Sequence, residues 1–247
     1  MQAGIMAGGK GTRLASVTKN IPKPMVPIDG KPLLEHQIEN LKKSGVDNVV
    51  LVVGYLGDVI RDYFGDGQKF GIRISYFTEE TPLGTAGALA EIEDLEENFI
   101  LLFGDLFINV DFKRFLNFHR EHEALITLFA HPNSHPYDSD IVIADKDGRV
   151  AGWSYKNTER TEDYPNLTNA GLYVMNKRVA NAVKAVRDKK ESRKADLEKD
   201  IITQLIEKER IFAYHSTEYV KDIGTPDRLQ RAEADIHKEI PERRNLS

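Results

Sequence analysis

The stretch Phe99-Ile100-Leu101-Leu102-Phe103 constrains the fold more than any other, because it is a short apolar run with no polar face. A strand of that kind needs apolar cover on both sides, as at the centre of a sheet sandwiched between helices. Short apolar runs alternating with amphipathic stretches along most of the chain give the same answer: an α/β domain with a mainly parallel sheet. Gln2–Met6, Asn48–Val53, Ile72–Phe77, Ala124–Ala130, Asn169–Met175 and Tyr219–Lys221 are predicted strands. Pro32 opens a helix in which Leu33, Leu34, Ile38 and Leu41 follow the 3.6 period, with Gly45 as its stop. Further helices are predicted over Asp58–Phe64, the Ala-rich Thr85–Ile92, Phe112–Glu123, Val179–Val186, Leu197–Glu207 and Pro226–His237. Asp147-Gly148 between Ile141–Ala144 and Val150–Tyr155 predicts an antiparallel hairpin, so the sheet is expected to be mixed. Arg187–Asp200 is so charged that it reads as a solvated helix surface or loop. Residues 1–237 are expected to form a single domain, and 238–247 a polar tail.

Several function classes drop out early. The 247 residues hold no apolar run near the ~18 needed for a membrane span, and the N-terminus lacks the basic and long apolar regions of a signal peptide. No membrane partner is expected. With no cysteine there is no disulfide, thiolate metal site or Cys nucleophile, which fits a cytoplasmic protein. Lys plus Arg number 34 against 39 for Asp plus Glu, a net charge of −5 and the wrong sign for a nucleic-acid partner. A local cluster of cations still suffices for a small phosphorylated ligand.

Two segments supply such a cluster. Ala7-Gly8-Gly9-Lys10-Gly11-Thr12-Arg13-Leu14 follows the first predicted strand. Its glycines let consecutive backbone N–H groups converge on phosphate oxygens, and Arg13 adds a planar fork of donors. The Walker spacing does not fit, since Lys10 lies between glycines, and the dinucleotide fingerprint fails at Leu14. An ordinary tight turn is the alternative. In Ile21-Pro22-Lys23-Pro24-Met25, prolines on both sides are expected to hold the chain extended and fix where Lys23 projects; alternatively Lys23 is a solvated cation on a rigid loop.

Together with Pro82-Leu83-Gly84-Thr85-Ala86-Gly87, Gly104-Asp105 and Asp222-Ile223-Gly224-Thr225-Pro226, these segments resemble the sugar-1-phosphate nucleotidyltransferases, in the expected order and over nearly the whole chain. The resemblance implies a Rossmann-like, mixed but mainly parallel sheet flanked by helices, of the nucleotide-diphospho-sugar transferase type. It also implies direct attack of a sugar 1-phosphate on the α-phosphorus of a nucleoside triphosphate, with release of pyrophosphate. On this resemblance Arg13 and Lys23 are catalytic, and Asp105 and Asp222 hold Mg²⁺. Ala7, Gly8, Gly9, Gly11, Thr12, Glu79, Gly84, Thr85 and Gly104 contact the nucleotide, while Asp140, Lys156, Asn169 and Gly171 contact the sugar phosphate. The residue chemistry agrees, because magnesium favours one or two carboxylates with phosphate oxygens and water, and both aspartates follow predicted strands; each alone also suits a helix cap or turn.

Family members read the base three residues before the proline of the Pro-x-Gly segment, and that residue here is Glu79. An ionised carboxylate only accepts hydrogen bonds, and among the bases guanine alone offers adjacent N1–H and N2–H₂ donors, so GTP is the expected substrate; a solvated Glu79 beside Glu80 is the alternative. The sugar side departs from commoner members, with Tyr155-Lys156-Asn157 and Ser139-Asp140 at positions that often carry Glu-Lys-Pro and Tyr-Gly. Residues 131–140 resemble the branch acting on manno-configured sugar 1-phosphates, a heptose first and mannose second; His131 and His135 equally suit a loop packed by its prolines. The C-terminal β-helix of some relatives is not expected after the Asp222 motif. A catalytically silent nucleotide-sugar-binding subunit is the rival of another class, which retention of Arg13, Lys23, Asp105 and Asp222 disfavours.

Overall fold

The computed structural model describes residues 1–9, 11, 14, 21–132, 139–156 and 166–240. In chain order its strands are β1 (Gln2–Met6), β2 (Pro27–Ile28), β3 (Lys31–Pro32), β4 (Asn48–Val53), β5 (Arg73–Thr78), β6 (Asn98–Phe103), β7 (Leu106–Asn109), β8 (Ile126–His131), β9 (Ile141–Ala144), β10 (Val150–Ser154), β11 (Thr168–Asn176), β12 (Ile211–His215) and β13 (Tyr219–Asp222). The longer α-helices are α1 (Leu33–Lys43), α2 (Gly57–Phe64), α3 (Phe112–Glu121), α4 (Arg178–Arg187) and α5 (Pro226–His237).

β5, β4, β1 and β6 lie side by side and parallel, and β11 joins β6 antiparallel. Beyond β11 the sheet divides, with β8 and parallel β12 on one branch and the β9–β10 hairpin on the other, so the sheet is mixed as expected. From β1 the chain builds outward through β4 and β5, then returns to place β6 on the opposite side of β1. That reversal is a switch point, where the carboxyl ends of parallel strands open a crevice.

The apolar run of β6 has both faces covered. Ile100 and Leu102 pack with Leu34 and Ile38 of α1, Ile60 of α2 and Phe115 of α3. Phe99 and Leu101 face the other way, toward Val179 and Val183 of α4 and toward Leu197 and Ile201. A smaller third core, with Val26, Phe107, Tyr219 and Ile223, lies under Leu229 and Ala232 of α5.

Two expectations fail. Thr85–Ile92 contains only a 3-10 turn over Gly87–Ala90, because its backbone groups bond sideways: Ala86 N–H donates to Ala195 O at 3.0 Å and Leu83 O accepts from Ala195 N at 2.9 Å. The Arg187–Asp200 segment is not a solvated surface throughout. Ala195 and Leu197 are buried, Arg187 is only 3% exposed and pairs with Glu91 and Asp188, and a wide helical turn spans Leu197–Ile202.

Candidate active site

A cavity of about 720 Å³ opens at the carboxyl ends of β1 and β6, the switch-point edge. It brings together Ala7, Gly8, Gly9, Gly11, Lys23, Glu79, Gly84, Thr85, Gly104, Asp105, Asn169, Gly171 and Asp222 of the residues expected from sequence. Thr12 and Arg13, with Lys10, lie outside the described residues.

The glycine turn is packed where it meets Glu79. A Cβ on Gly8 would stand 2.6 Å from Glu79 Oε2 and 3.3 Å from Gly54 N, so a larger residue there would push the Glu79 carboxylate aside and crowd the backbone that follows β4. Gly11 takes a left-handed φ of 57°, with the Lys23 side chain against it. Nothing lies within 4 Å of a Cβ on Gly9, which leaves that backbone open toward the cavity.

The prolines around Lys23 act differently from the extended geometry expected. Pro22 is extended, but Lys23–Met25 form a buried 3-10 turn that sinks the lysine side chain to 10% exposure. Its Nζ lies 2.6 Å from Asp105 Oδ2 and 3.6 Å from Asp222 Oδ1, so one ammonium reaches both carboxylates. Backbone pairing explains the convergence. Asp105 sits in the turn between β6 and β7, β7 pairs antiparallel with β13 so that Leu106 faces Asp222, and Ile223 N–H donates to Asp105 O at 3.0 Å. Asp222 also accepts from Arg228 Nη1 at 2.6 Å and from Gly224 N–H at 2.5 Å. Gln37, fully buried in α1, donates through Nε2 to Phe103 O at 2.9 Å and Leu106 O at 2.7 Å, gripping the Asp105 turn on both sides.

No group of three or more metal-ligating side chains occurs among the described residues. Two carboxylates within reach of one cation, open to a cavity that the glycine turn also lines, match the hard oxygen donors that magnesium takes together with phosphate and water. Asp105 and Asp222 therefore fit a magnesium ion shared with a ligand's phosphates.

Glu79 follows β5 and lines the cavity beside the glycine turn. Burial pushes its carboxyl above the ordinary glutamate value, partly offset by Leu83 N–H donating to Oε1 at 3.2 Å. The following loop is strapped to a distant segment: besides the Leu83 and Ala86 bonds to Ala195, Leu197 N–H donates to Thr85 Oγ1 at 2.8 Å. Gly84 has a φ of 83°, and a Cβ there would stand 2.5 Å from Ala195 O.

The same strap carries Glu198, a cavity residue that the sequence reading missed inside the charged 187–200 stretch. The signal was there, since Leu197, Ile201 and Ile202 recur at helical spacing and are all buried. Asn169 Nδ2 donates to Glu198 Oε1 and to the Tyr173 hydroxyl, while Asn169 Oδ1 accepts from Gly171 N–H at 3.1 Å. Gly171 needs its φ of 75° and has Phe103 where a Cβ would point. Asp140 and Lys156 are not among the cavity-lining residues; they pair with one another, Lys156 N–H donating to Asp140 Oδ1 at 2.9 Å. Residues 133–138, including His135, lie outside the described residues, and His131 bonds the Pro132 carbonyl through Nδ1.

Comparison with known proteins agrees with this architecture. A family model described as nucleotidyl transferase matches residues 2–239. Mannose-1-phosphate guanylyltransferase of Mycobacterium tuberculosis is 33% identical over 245 residues, covering 97% of this chain and 66% of the relative, so the chain spans slightly less than two thirds of that protein. D-glycero-alpha-D-manno-heptose 1-phosphate guanylyltransferase of Aneurinibacillus thermoaerophilus is 32% identical over 242 residues, covering 97% of this chain and 100% of the relative. The crystal structure of HddC from Yersinia pseudotuberculosis complexed with GMP-PN superimposes with a TM-score of 0.76 at 27% identity, over 95% of this chain and 99% of that one. With the switch-point cavity, the matched residues and these relatives in agreement, the chain belongs to the nucleotidyl transferase family.

Proposed function

We propose that this chain transfers GMP from GTP to a manno-configured sugar 1-phosphate, with D-glycero-α-D-manno-heptose 1-phosphate preferred over mannose 1-phosphate. The observation that carries this reading is the cavity itself, in which one wall holds a half-buried carboxylate, Glu79, and another holds Lys23 between Asp105 and Asp222. The names of the relatives supply the guanylyl and sugar specificities that the proposal adopts.

An anionic oxygen of the sugar phosphate forms a new bond to the α-phosphorus as the bond to the β-phosphate oxygen breaks, and pyrophosphate leaves. No protein nucleophile is needed. The protein's task is to hold two mutually repelling phosphate groups in line and to neutralise their charge. Lys23 places an ammonium among those phosphates, and in our reading Arg13 adds a second cation. Backbone N–H groups of Gly8, Gly9 and Gly11 cradle the triphosphate. Magnesium bound by Asp105 and Asp222 would neutralise phosphate charge and orient the α-phosphate oxygens.

Glu79 selects the base by accepting from guanine N1–H and N2–H₂. These donors favour the ionised carboxylate and offset the cost of its burial, whereas another base leaves the charge unpaired. Residues 1–237 act as one unit in this scheme, which we place in the cytoplasm. Separately, no helix among the described residues is long and apolar enough to cross a membrane.

The test is pyrophosphate release over a grid of nucleoside triphosphates and sugar 1-phosphates with Mg²⁺. GTP with a manno-configured acceptor should exceed every other pair. Preference for UTP, dTTP, CTP or ATP would contradict the guanylyl assignment.

A further inference from the structure

We propose that Glu198 determines acceptor specificity, its carboxylate receiving hydrogen bonds from hydroxyl groups of the sugar. The inference rests on the sugar-phosphate transfer proposed above and adds a residue to it.

Glu198 lines the cavity with Asn169, Ala170 and Gly171. Among the described residues it has no cationic partner: its bonds come from the Asn169 amide and, at 3.4 Å, from the Tyr173 hydroxyl. Both end on Oε1, leaving Oε2 without a donor among the described residues. Burial pushes the carboxyl up most strongly, the Asn169 bond opposes this, and the charges of Asp196 and Asp140 raise it further. A carboxylate placed against two like charges in a half-buried cavity, with one oxygen unclaimed, is a costly arrangement unless a ligand supplies donors.

The arrangement is also held firmly. Asp196 caps the following turn by accepting from Glu198 N–H at 3.1 Å and Lys199 N–H at 2.9 Å, and Leu197 N–H is tied to Thr85. Tyr173 is fully buried, and its hydroxyl accepts from Asn169 at 2.6 Å, so it is oriented to donate toward Glu198. A fixed acceptor in the same cavity as the phosphate cations suits a polyol. Neighbouring hydroxyls donate well to a carboxylate, whereas the phosphates of either substrate, having no strong donor, are repelled by it.

The test combines a protein change with a ligand change. Glu198→Gln should raise KM for the sugar 1-phosphate by about tenfold or more and leave KM for GTP within about twofold. In the wild type, at least one monodeoxy acceptor should lose about tenfold or more in kcat/KM, and that penalty should shrink in Glu198→Gln, a coupling that a merely structural residue would not show. An unchanged acceptor KM, parallel increases in both KM values, or a full deoxy penalty in the variant would each overturn the role. If Glu198→Gln is too unstable to assay, the wild-type deoxy series and Glu198→Asp decide: uniform tolerance of every deoxy acceptor, or an unaltered acceptor KM in Glu198→Asp, would refute it. A wild type that releases no pyrophosphate with any substrate pair refutes the proposed reaction and this role together; an active wild type with an insensitive variant refutes the role alone.

Discussion

Gly84→Ala should destabilise the protein and Gly9→Ala should not, although both glycines line the same cavity. At Gly84 the backbone has φ 83°, and the new methyl carbon would stand 2.5 Å from Ala195 O and 3.1 Å from Ala195 C. Holding alanine in a left-handed conformation costs ~1–2 kcal/mol. The clash falls on rigid backbone, so the strap must open, weakening the bonds that join Leu83 and Ala86 to Ala195. Each such bond contributes ~0.5–1.5 kcal/mol net, which brings the expected loss to about 3 kcal/mol. For a chain of this size that loss lowers Tm by roughly 6–12 °C. At Gly9 an added Cβ meets nothing within 4 Å and no left-handed φ stands in the way, so Tm should stay within about 2 °C. Calorimetry and urea denaturation of both variants, at one pH and without ligand, measure the difference. Equal Tm values for the two variants would refute the steric reasoning. GTP binding by the stable Gly9→Ala variant then reports how closely ligand approaches that backbone, free of any folding effect.

Three other substitutions probe separate parts of the account. Glu79→Gln should reduce discrimination for GTP over UTP by about tenfold or more in kcat/KM, since the amide presents one acceptor where the carboxylate presents two; an unchanged ratio removes Glu79 from base selection. Gln37→Leu should lower kcat by about tenfold or more while GTP binding persists, because it releases the two carbonyls flanking Asp105; wild-type kcat would show that the turn needs no brace. Burial, aided by Arg120, lowers His119 from 6.5 to about 4. Unfolded chains therefore take up the proton first, and stability is lost as pH falls from 6.5 toward 4, by at most about 3 kcal/mol. Urea midpoints across that range should show a shallower acid limb in His119→Gln, and an identical slope would contradict the assignment.

The sheet and the strand ends that line the cavity were legible because their signals are local. The run Phe99–Phe103 announced a strand covered on both faces, and the turn Asp147-Gly148 announced a hairpin. The glycine turn and the Pro-Lys-Pro segment were visible as composition. Their meeting was not, because it depends on Gly11 giving way to the Lys23 side chain and on the register that sets Asp222 across from Leu106. Glu198 was hidden for a related reason. A run of charges normally signals a solvated face, but here Ala195 replaces solvent with the loop over Leu83–Ala86, and the buried Arg187 pairs with Glu91, far away in sequence, as well as with its neighbour Asp188. Gln37 looked like an ordinary polar helix position, since nothing in its neighbourhood revealed two free carbonyls on another element.

The central claim is that Asp105 and Asp222 jointly serve a divalent ion while a triphosphate occupies the glycine turn. Crystals grown with Mn²⁺ and a non-hydrolysable GTP analogue test it directly through the manganese anomalous signal. The account predicts one manganese ligated by both carboxylates and by phosphate oxygens, with the triphosphate against Gly8, Gly9 and Gly11 and the guanine edge on Glu79. Manganese bound with neither aspartate, or the triphosphate seated away from that turn, would contradict it.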